Sequence, residues 1–85
     1  MTQTYTCPVC GFPGLYEAAY DKAGASSFEI CPCCGIEFGY EDARRSHEEL
    51  RQKWIAEGMK WHFGSVPSNW NPITQLVKAG FEPPR

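Results

Sequence analysis

Long apolar segments are missing from this 85-residue chain. No run approaches the roughly 18 apolar residues that a membrane-spanning helix needs, so we expect no membrane span. The first residues, MTQTYTCPVCG, lack the basic and apolar regions of a secretory signal, which predicts a cytoplasmic protein. Structural disulfides are rare in that reducing compartment, and the odd number of five cysteines does not fit a fully paired disulfide framework.

An excess of basic residues is also missing. Eight lysines and arginines stand against ten acidic residues, and the formal net charge is −2. Nucleic-acid binding draws much of its affinity from basic side chains on phosphates, so nucleic acid is not the expected partner. A nucleic-acid-binding ribbon stays open as an alternative, and its basic residues would be Arg44, Arg45, Arg51 and Lys53.

The small size of the chain predicts one domain, residues 1–85. A domain of this length buries only a little over about 60% of the surface that its unfolded chain exposes, so its stability is thin. Small natural domains usually add a staple such as a metal ion. All five cysteines lie within residues 1–40, which predicts a metal-bearing part there and a helical extension over 41–85.

Two cysteine pairs repeat one pentapeptide. Residues 7–11 read C-P-V-C-G and residues 31–35 read C-P-C-C-G. In each pair, a tight turn aims two sulfur atoms at one ion, proline presets φ behind the first ligand, and glycine permits positive φ after the second. We call these turns knuckle 1 and knuckle 2.

Together the two knuckles predict one metal site with four sulfur ligands: Cys7, Cys10, Cys31 and Cys34. A closed tetrahedron of thiolates is typical of structural zinc, so we expect Zn²⁺. Catalytic zinc normally keeps an open position for water, so the complete set favours a structural role and predicts that the protein is not an enzyme. Cys33 occupies the position of Val9 and is expected to be a small non-ligand residue, with a spare thiol for metal exchange or oxidation sensing as the alternative.

The motif C-P-V-C-G, followed by S-F-E-I-C-P-C-C-G-I-E-F-G-Y-E-D, resembles the bacterial cysteine-rich CPCC family of small proteins. That resemblance implies a zinc-binding fold and assigns the ligand roles to the same four cysteines, but it implies no biochemical role. The paired knuckles are also similar to rubredoxin, where four sulfurs hold iron. Iron is therefore the rival metal, although this chain departs from rubredoxin in its first knuckle, its pair separation and its C-terminal extension.

The expected fold is α+β, a small zinc-ribbon (rubredoxin-like) β-hairpin module followed by two helices. Leu15–Tyr20 and Ser27–Cys31 read as the strands of the hairpin, with Gly24 in the turn. A sparse apolar seam with spacings of three and four predicts a helix near 46–61, capped by Ser46. The seam comprises His47, Leu50, Trp54, Gly58 and Trp61. Asn71 followed by proline predicts a short helix near 72–79, ended by Gly80.

The remaining polar and aromatic groups leave function open. The carboxylates Glu37, Glu41 and Asp42 accompany no nucleophile, so we expect them to solvate the junction before the first helix. A set of aromatic residues either joins the helices to the ribbon or forms a surface for a partner. The set comprises Phe38, Tyr40, Trp54, Trp61, Phe63 and Trp70. We therefore expect a structural zinc-binding protein that serves as a protein-protein interaction module.

Overall fold

Two α-helices are the main regular elements of this protein, in a computed structural model that describes residues 3–84. Helix α1 runs His47–Ala56 and helix α2 runs Pro72–Lys78. A short 3₁₀ helix, Glu41–Ala43, precedes α1. Within residues 3–84 no helix combines the length and the apolar character that a membrane crossing requires.

Helix α1 begins at the predicted cap and ends earlier than predicted. The Ser46 hydroxyl accepts a hydrogen bond from the Glu49 amide at 3.1 Å, which confirms the cap. Beyond Ala56 the chain turns back at Gly58, where φ is +100°. Amides of Gly58 and Met59 donate to the carbonyls of Ile55 and Trp54, the pattern by which a glycine closes a helix. The prediction that the helix continues to residue 61 was wrong because Gly58 ends it.

Helix α2 follows its sequence signals closely. The Asn71 side chain accepts from the amides of Ile73 and Thr74, and Pro72 is the first helical residue. At the other end, Gly80 has a φ of +84°, and the Phe81 amide donates to the Leu76 carbonyl at 2.9 Å. Start and stop are both set by residues within one turn of the helix ends.

The predicted β-hairpin is absent from the described residues. They contain three isolated antiparallel bridges and no sheet, the bridges being Tyr5 with Leu15, Tyr20 with Ser26, and Ile30 with Glu37. The fold is therefore not a zinc-ribbon hairpin followed by helices. Two of the bridges instead close the chain around one knuckle each.

The ladder of the predicted hairpin is missing because other groups bind the backbone amides and carbonyls that it would need. The Leu15 carbonyl accepts from the Tyr5 amide at 2.9 Å, and the Leu15 amide donates to the Tyr5 carbonyl at 3.0 Å. The Glu29 carboxylate accepts the amides of Tyr16 and Glu17, which a partner strand would otherwise have bound. Phe28 has a φ of +57°, which interrupts the second extended run. Only the turn at Gly24, with φ +84°, forms as predicted.

One buried cluster draws on both halves of the chain. It contains Leu15 and Phe38 from the first half and Leu50, Trp54 and Leu76 from the helices, together with all five cysteines. Of the aromatic residues considered above, Phe38 and Trp54 are buried and Trp61 and Trp70 are packed against the cluster, whereas Tyr40 and Phe63 are exposed. The single domain 1–85, divided at residue 40, stays a prediction, and its terminal residues Met1, Thr2 and Arg85 lie outside the described residues.

Candidate metal centre

Each knuckle is closed by the same two backbone hydrogen bonds. In knuckle 1 the Gly11 amide donates to the Cys7 carbonyl at 3.0 Å, and the Cys7 amide donates to the Phe12 carbonyl at 2.8 Å. Knuckle 2 repeats this pattern between Cys31 and the two residues that follow Cys34, at 2.8 and 3.0 Å. Gly11 and Gly35 have φ of +84° and +78°, which supports the role given to these glycines by the sequence.

The two knuckles bring four sulfur atoms together. Those of Cys7, Cys10, Cys31 and Cys34 all lie within 4.8 Å of one another, positioned to bind a metal ion. Cys7 Sγ is 3.8 Å from Cys34 Sγ, and Cys10 Sγ is 3.7 Å from Cys31 Sγ. Cys34 is 5% exposed and the other three are fully buried. Each close pair joins one cysteine from either knuckle.

These sulfur separations fit a tetrahedral metal site. With metal–sulfur bonds of about 2.3 Å, the edge of a tetrahedron is about 3.8 Å long. The two measured separations, 3.8 and 3.7 Å, agree with that edge. The donor set therefore suits an ion that takes four thiolates, and the geometry is shared by zinc and by iron.

The cysteines of the cluster shift one another's pKa values in opposite directions. The pKa of the Cys7 thiol lies below its ordinary value because Cys10, and then Cys31 and Cys34, hydrogen-bond to its thiolate. The pKa of Cys10 lies above its ordinary value, chiefly because of its hydrogen bond with Cys31. Four buried thiolates repel one another unless a cation lies among them, so a metal ion is the natural replacement for these protons.

Helix α1 contacts knuckle 1 through Arg51. Its Nε donates to the Val9 carbonyl at 2.8 Å and its Nη2 to the Pro8 carbonyl at 2.9 Å. The guanidinium carbon lies 3.6 Å from the centre of the Phe81 ring, a cation–π contact. Arg51 therefore joins knuckle 1, α1 and the segment after α2.

Helix α2 contacts both knuckles through Gln75. Its Nε2 donates to the Cys10 carbonyl at 3.0 Å and to Cys33 Sγ at 3.4 Å. Its Oε1 accepts from the Trp70 indole at 2.9 Å. Gln75 is the one buried polar or charged residue found within residues 3–84.

The sequence predicted the four sulfurs but missed Arg51 and Gln75 as residues that support the cluster. Arg51 lies 42 and 43 residues from its partners in knuckle 1, and Gln75 lies 65 residues from Cys10. An arginine or a glutamine on a helix carries no motif, so no local signal identifies either residue. Cys33 lies beside the cluster but is not one of its four members.

Asp42 forms a separate polar network at the start of α1. Its carboxylate accepts from the Tyr20 hydroxyl at 2.6 Å and from the Gly39 amide at 2.7 Å, and it lies 2.8 Å from His47 Nε2. Burial alone would raise the pKa of Asp42, but hydrogen bonds from Tyr20, His47 and Gly39 outweigh it and hold the pKa below its usual range. Asp42 thus links the segment after knuckle 2 to α1.

Two proteins of Bacillus subtilis (strain 168) are similar to this chain. YoaQ is 46% identical over 75 residues, covering 65% of this chain and 60% of YoaQ, and YozI is 31% identical over 77 residues, covering 71% and 64%. Both are described as uncharacterised proteins. The chain covers less than two thirds of the length of either relative. No family model matches the chain, and no solved structure matches it.

Proposed function

We propose that this chain is a structural zinc protein of the bacterial cysteine-rich CPCC family, which binds one ion through Cys7, Cys10, Cys31 and Cys34. The observation that carries the proposal is the convergence of four buried sulfur atoms within 4.8 Å of one another, with two of their separations equal to the edge of a tetrahedral site. An all-thiolate set with no open position is typical of structural zinc. The same closure supports the proposal that the protein is not an enzyme.

The metal has a structural purpose in this proposal. Zinc would offset the mutual repulsion of the thiolates and tie Cys7 and Cys10 to Cys31 and Cys34. In zinc-finger peptides such binding contributes about 10 to 16 kcal/mol at pH 7, which is comparable to the whole stability of a small domain. The described residues supply no sheet that would hold the two knuckles together without the metal.

The Cys31→Ser variant tests this proposal. We expect the unaltered protein, purified without added metal, to contain one zinc ion per chain by elemental analysis, and the variant to contain none and to lose cooperative thermal unfolding. Cys33→Val is the matched control, because it removes a buried thiol that is not in the cluster, and it should keep its metal. Metal content unchanged by Cys31→Ser would refute the proposal. Iron and a red colour in the purified protein would support the same four-sulfur site but identify its metal as iron.

Partner binding is the second part of the proposal, and charge segregation supports it. Residues 3–42 contain one basic residue, Lys22, and six acidic residues, namely Glu17, Asp21, Glu29, Glu37, Glu41 and Asp42. Large hydrophobic residues are exposed in the same stretch, with Tyr16 at 78%, Phe28 at 63% and Tyr40 at 73%. A cleft of about 390 Å³ is lined by Tyr16, Glu17 and Asp21 among others, and the Glu29 carboxylate binds the backbone beside it.

Acidic and aromatic groups together fit a basic partner. Arginine and lysine bind carboxylates and stack on aromatic rings, so we propose that this cleft receives a basic segment of a protein. The nucleic-acid alternative is weaker because the guanidinium of Arg51 already binds two carbonyls and the Phe81 ring. Engaged in this way, it is not free to contact phosphate.

A peptide of alternating arginine and leucine residues tests the partner's chemistry. We expect it to bind the metal-loaded protein by calorimetry and to shift amide signals around Tyr16, while its glutamate counterpart does not bind. Glu17→Lys should weaken binding about tenfold. Glu57→Lys makes the same charge change at an exposed residue of α1's end and should leave binding unchanged. Equal loss in both variants, or tighter binding to duplex DNA, would contradict the proposed surface.

A further inference from the structure

Knuckle 2 carries a fifth thiol that a four-coordinate ion does not need. Cys33 is fully buried, between two residues of the sulfur cluster. Zinc takes four ligands. Some feature of the fold must therefore decide which four of the five adjacent sulfurs are used.

Gln75 is placed to make that decision. Its Nε2 carries two hydrogens, and its two acceptors are the Cys10 carbonyl at 3.0 Å and Cys33 Sγ at 3.4 Å. Cys10 is a predicted ligand and Cys33 is not, so one amide group holds the backbone of the first and the sulfur of the second. The contact ties Cys33 to α2.

Trp70 sets the direction of the Gln75 amide. An indole N–H is a donor only, so the atom facing it at 2.9 Å must be the carbonyl oxygen of Gln75. The NH₂ group then necessarily points toward the two knuckles. Among residues 3–84 no buried side-chain polar atom lacks a hydrogen-bond partner, so the amide has no unpaired atom that would favour another orientation.

Knuckle 1 needs no such device. Val9 stands at the position equivalent to Cys33 and has no sulfur, and the outward contact there is made by its carbonyl, which Arg51 binds. In knuckle 1 the hydrogen bond to sulfur comes from the backbone amide of Val9 and goes to Cys7, a predicted ligand, at 3.4 Å. A hydrogen bond from a distant side chain to a sulfur outside the ligand set is found at knuckle 2, the knuckle that has a surplus thiol. The inference rests on this coincidence of the surplus Cys33 thiol with the hydrogen bond from Gln75.

We propose that Gln75 is a positioning residue that holds the Cys33 thiol on α2 and out of the ligand set, an inference that rests on the proposed metal site. Without the Gln75 amide, the Cys33 side chain would no longer be held on α2, and its sulfur would be free to take the place of the neighbouring Cys34 sulfur, with one proton passing from Cys33 to Cys34. The number of thiolates and the charge of the site would stay the same. The site would then exist as a mixture of ligand sets and release its metal faster.

Gln75→Met tests the proposal, since methionine keeps the length of the side chain and removes the amide. We would load the proteins with cadmium-113, record its nuclear magnetic resonance signal, and measure the rate of zinc transfer to a chelator. The unaltered protein should give one cadmium signal. Gln75→Met should give more than one signal and release zinc about tenfold faster, the lower end of the effects seen for residues that support metal ligands.

A second substitution separates positioning from packing. If Gln75 acts through Cys33, then Gln75→Met in the Cys33→Val background should return to one cadmium signal and the slow release rate. Faster release that persists in that background would show a packing effect and overturn the proposal, as would an unchanged Gln75→Met protein. Gln52→Met, at an exposed glutamine of α1, is the matched control and should change neither readout.

A further variant and the metal content of the unaltered protein complete the test. Should Gln75→Met fail to fold, Trp70→Phe removes the indole that orients the amide, and it should show the same effects at smaller size, again suppressed by Cys33→Val. Absence of those effects would overturn the proposal. An unaltered protein that binds no metal would instead refute the metal site itself, so the two failures are distinguishable.

Discussion

Knuckles 1 and 2 are nearly the same turn, yet the rest of the chain covers them by different means. In knuckle 1 the carbonyls of Pro8 and Val9 accept hydrogen bonds from the side chain of Arg51. The equivalent carbonyls of knuckle 2, those of Pro32 and Cys33, accept from the backbone amides of residues 62 and 63. One repeat therefore depends on a particular side chain, and the other depends on the path of the chain.

The two knuckles also differ in what faces their glycines. A Cβ placed on Gly11 would lie 3.1 Å from the Gln75 carbonyl oxygen in α2 and 2.8 Å from the Cβ of Ala79, the residue that caps α2. A Cβ placed on Gly35 would meet the side chain of His62 at 2.8 Å. That side chain is exposed and free to turn away. Identical local sequence thus meets a rigid neighbour in one case and a movable one in the other.

The largest expected effect is one in which the knuckles behave alike. Because each supplies two of the four sulfurs, Cys7→Ser and Cys31→Ser should both abolish stoichiometric zinc binding and cooperative unfolding. Elemental analysis and thermal unfolding by circular dichroism measure the two effects. A variant in either knuckle that keeps its metal while the other loses it would show that the cluster is not shared equally.

Glycine substitutions should separate the knuckles. Alanine at either glycine must adopt positive φ, at a cost of about 1 to 2 kcal/mol. Gly11→Ala must in addition displace α2, so it should lower the free energy of unfolding by about 2 kcal/mol more than Gly35→Ala does. Urea unfolding of the metal-loaded proteins measures the difference. Equal losses would mean that α2 yields as easily as the His62 ring.

Side-chain removal should likewise affect knuckle 1 more. Arg51→Met removes two hydrogen bonds and the stacking on Phe81, and we expect it to lower the free energy of unfolding by about 2 kcal/mol. His62→Ala keeps the amide that serves knuckle 2 and should have little effect. Arg45→Met, at an exposed arginine, is the control for loss of charge. A large loss in His62→Ala would show that its ring, too, supports knuckle 2.

The smallest expected effect concerns the segment after knuckle 2, where Asp42 makes the free energy of unfolding depend on pH. The pKa of Asp42 is lowered in the folded protein, so its contribution to stability is present above the unfolded value of about 3.9 and is lost as the pH falls through the folded value. Asp42→Asn should therefore show less loss of stability on acidification below about pH 4. The difference between variant and unaltered protein isolates Asp42, because both share the pH-dependent sulfur cluster. Parallel pH profiles would contradict this.

Signals that act within about one helical turn were read correctly at three positions and wrongly at a fourth. Ser46, Asn71 and Gly80 cap the helices as predicted, because a cap satisfies backbone groups two to five residues away. Gly58 misled the helix prediction since its spacing matched the apolar seam, while its conformational freedom made it a helix stop. Gly58 fits both the seam of a continuing helix and the glycine that ends one, and its positive φ shows that it ends α1.

The missing hairpin has a different cause. Alternation of residue types between the two cysteine pairs suits strands, but a ladder also requires that backbone groups remain available. The Glu29 carboxylate and the backbone of Tyr5 bind those groups first. Such competition depends on which segments meet in space, and no periodicity of a single segment records it.

The repeated C-P-x-C-G pentapeptide was enough to determine two turns that each present two sulfurs, because proline, glycine and the spacing of the cysteines act within five residues. The repetition also predicted that the four sulfurs meet, although that meeting joins residues 21 and 27 positions apart. Only the tertiary structure decided that Arg51 supports one knuckle, that backbone amides support the other, and that Gln75 contacts the surplus thiol of Cys33. These contacts join residues 42 or more positions apart in the two side-chain cases. Their geometry follows from how the helices pack, which local sequence does not specify.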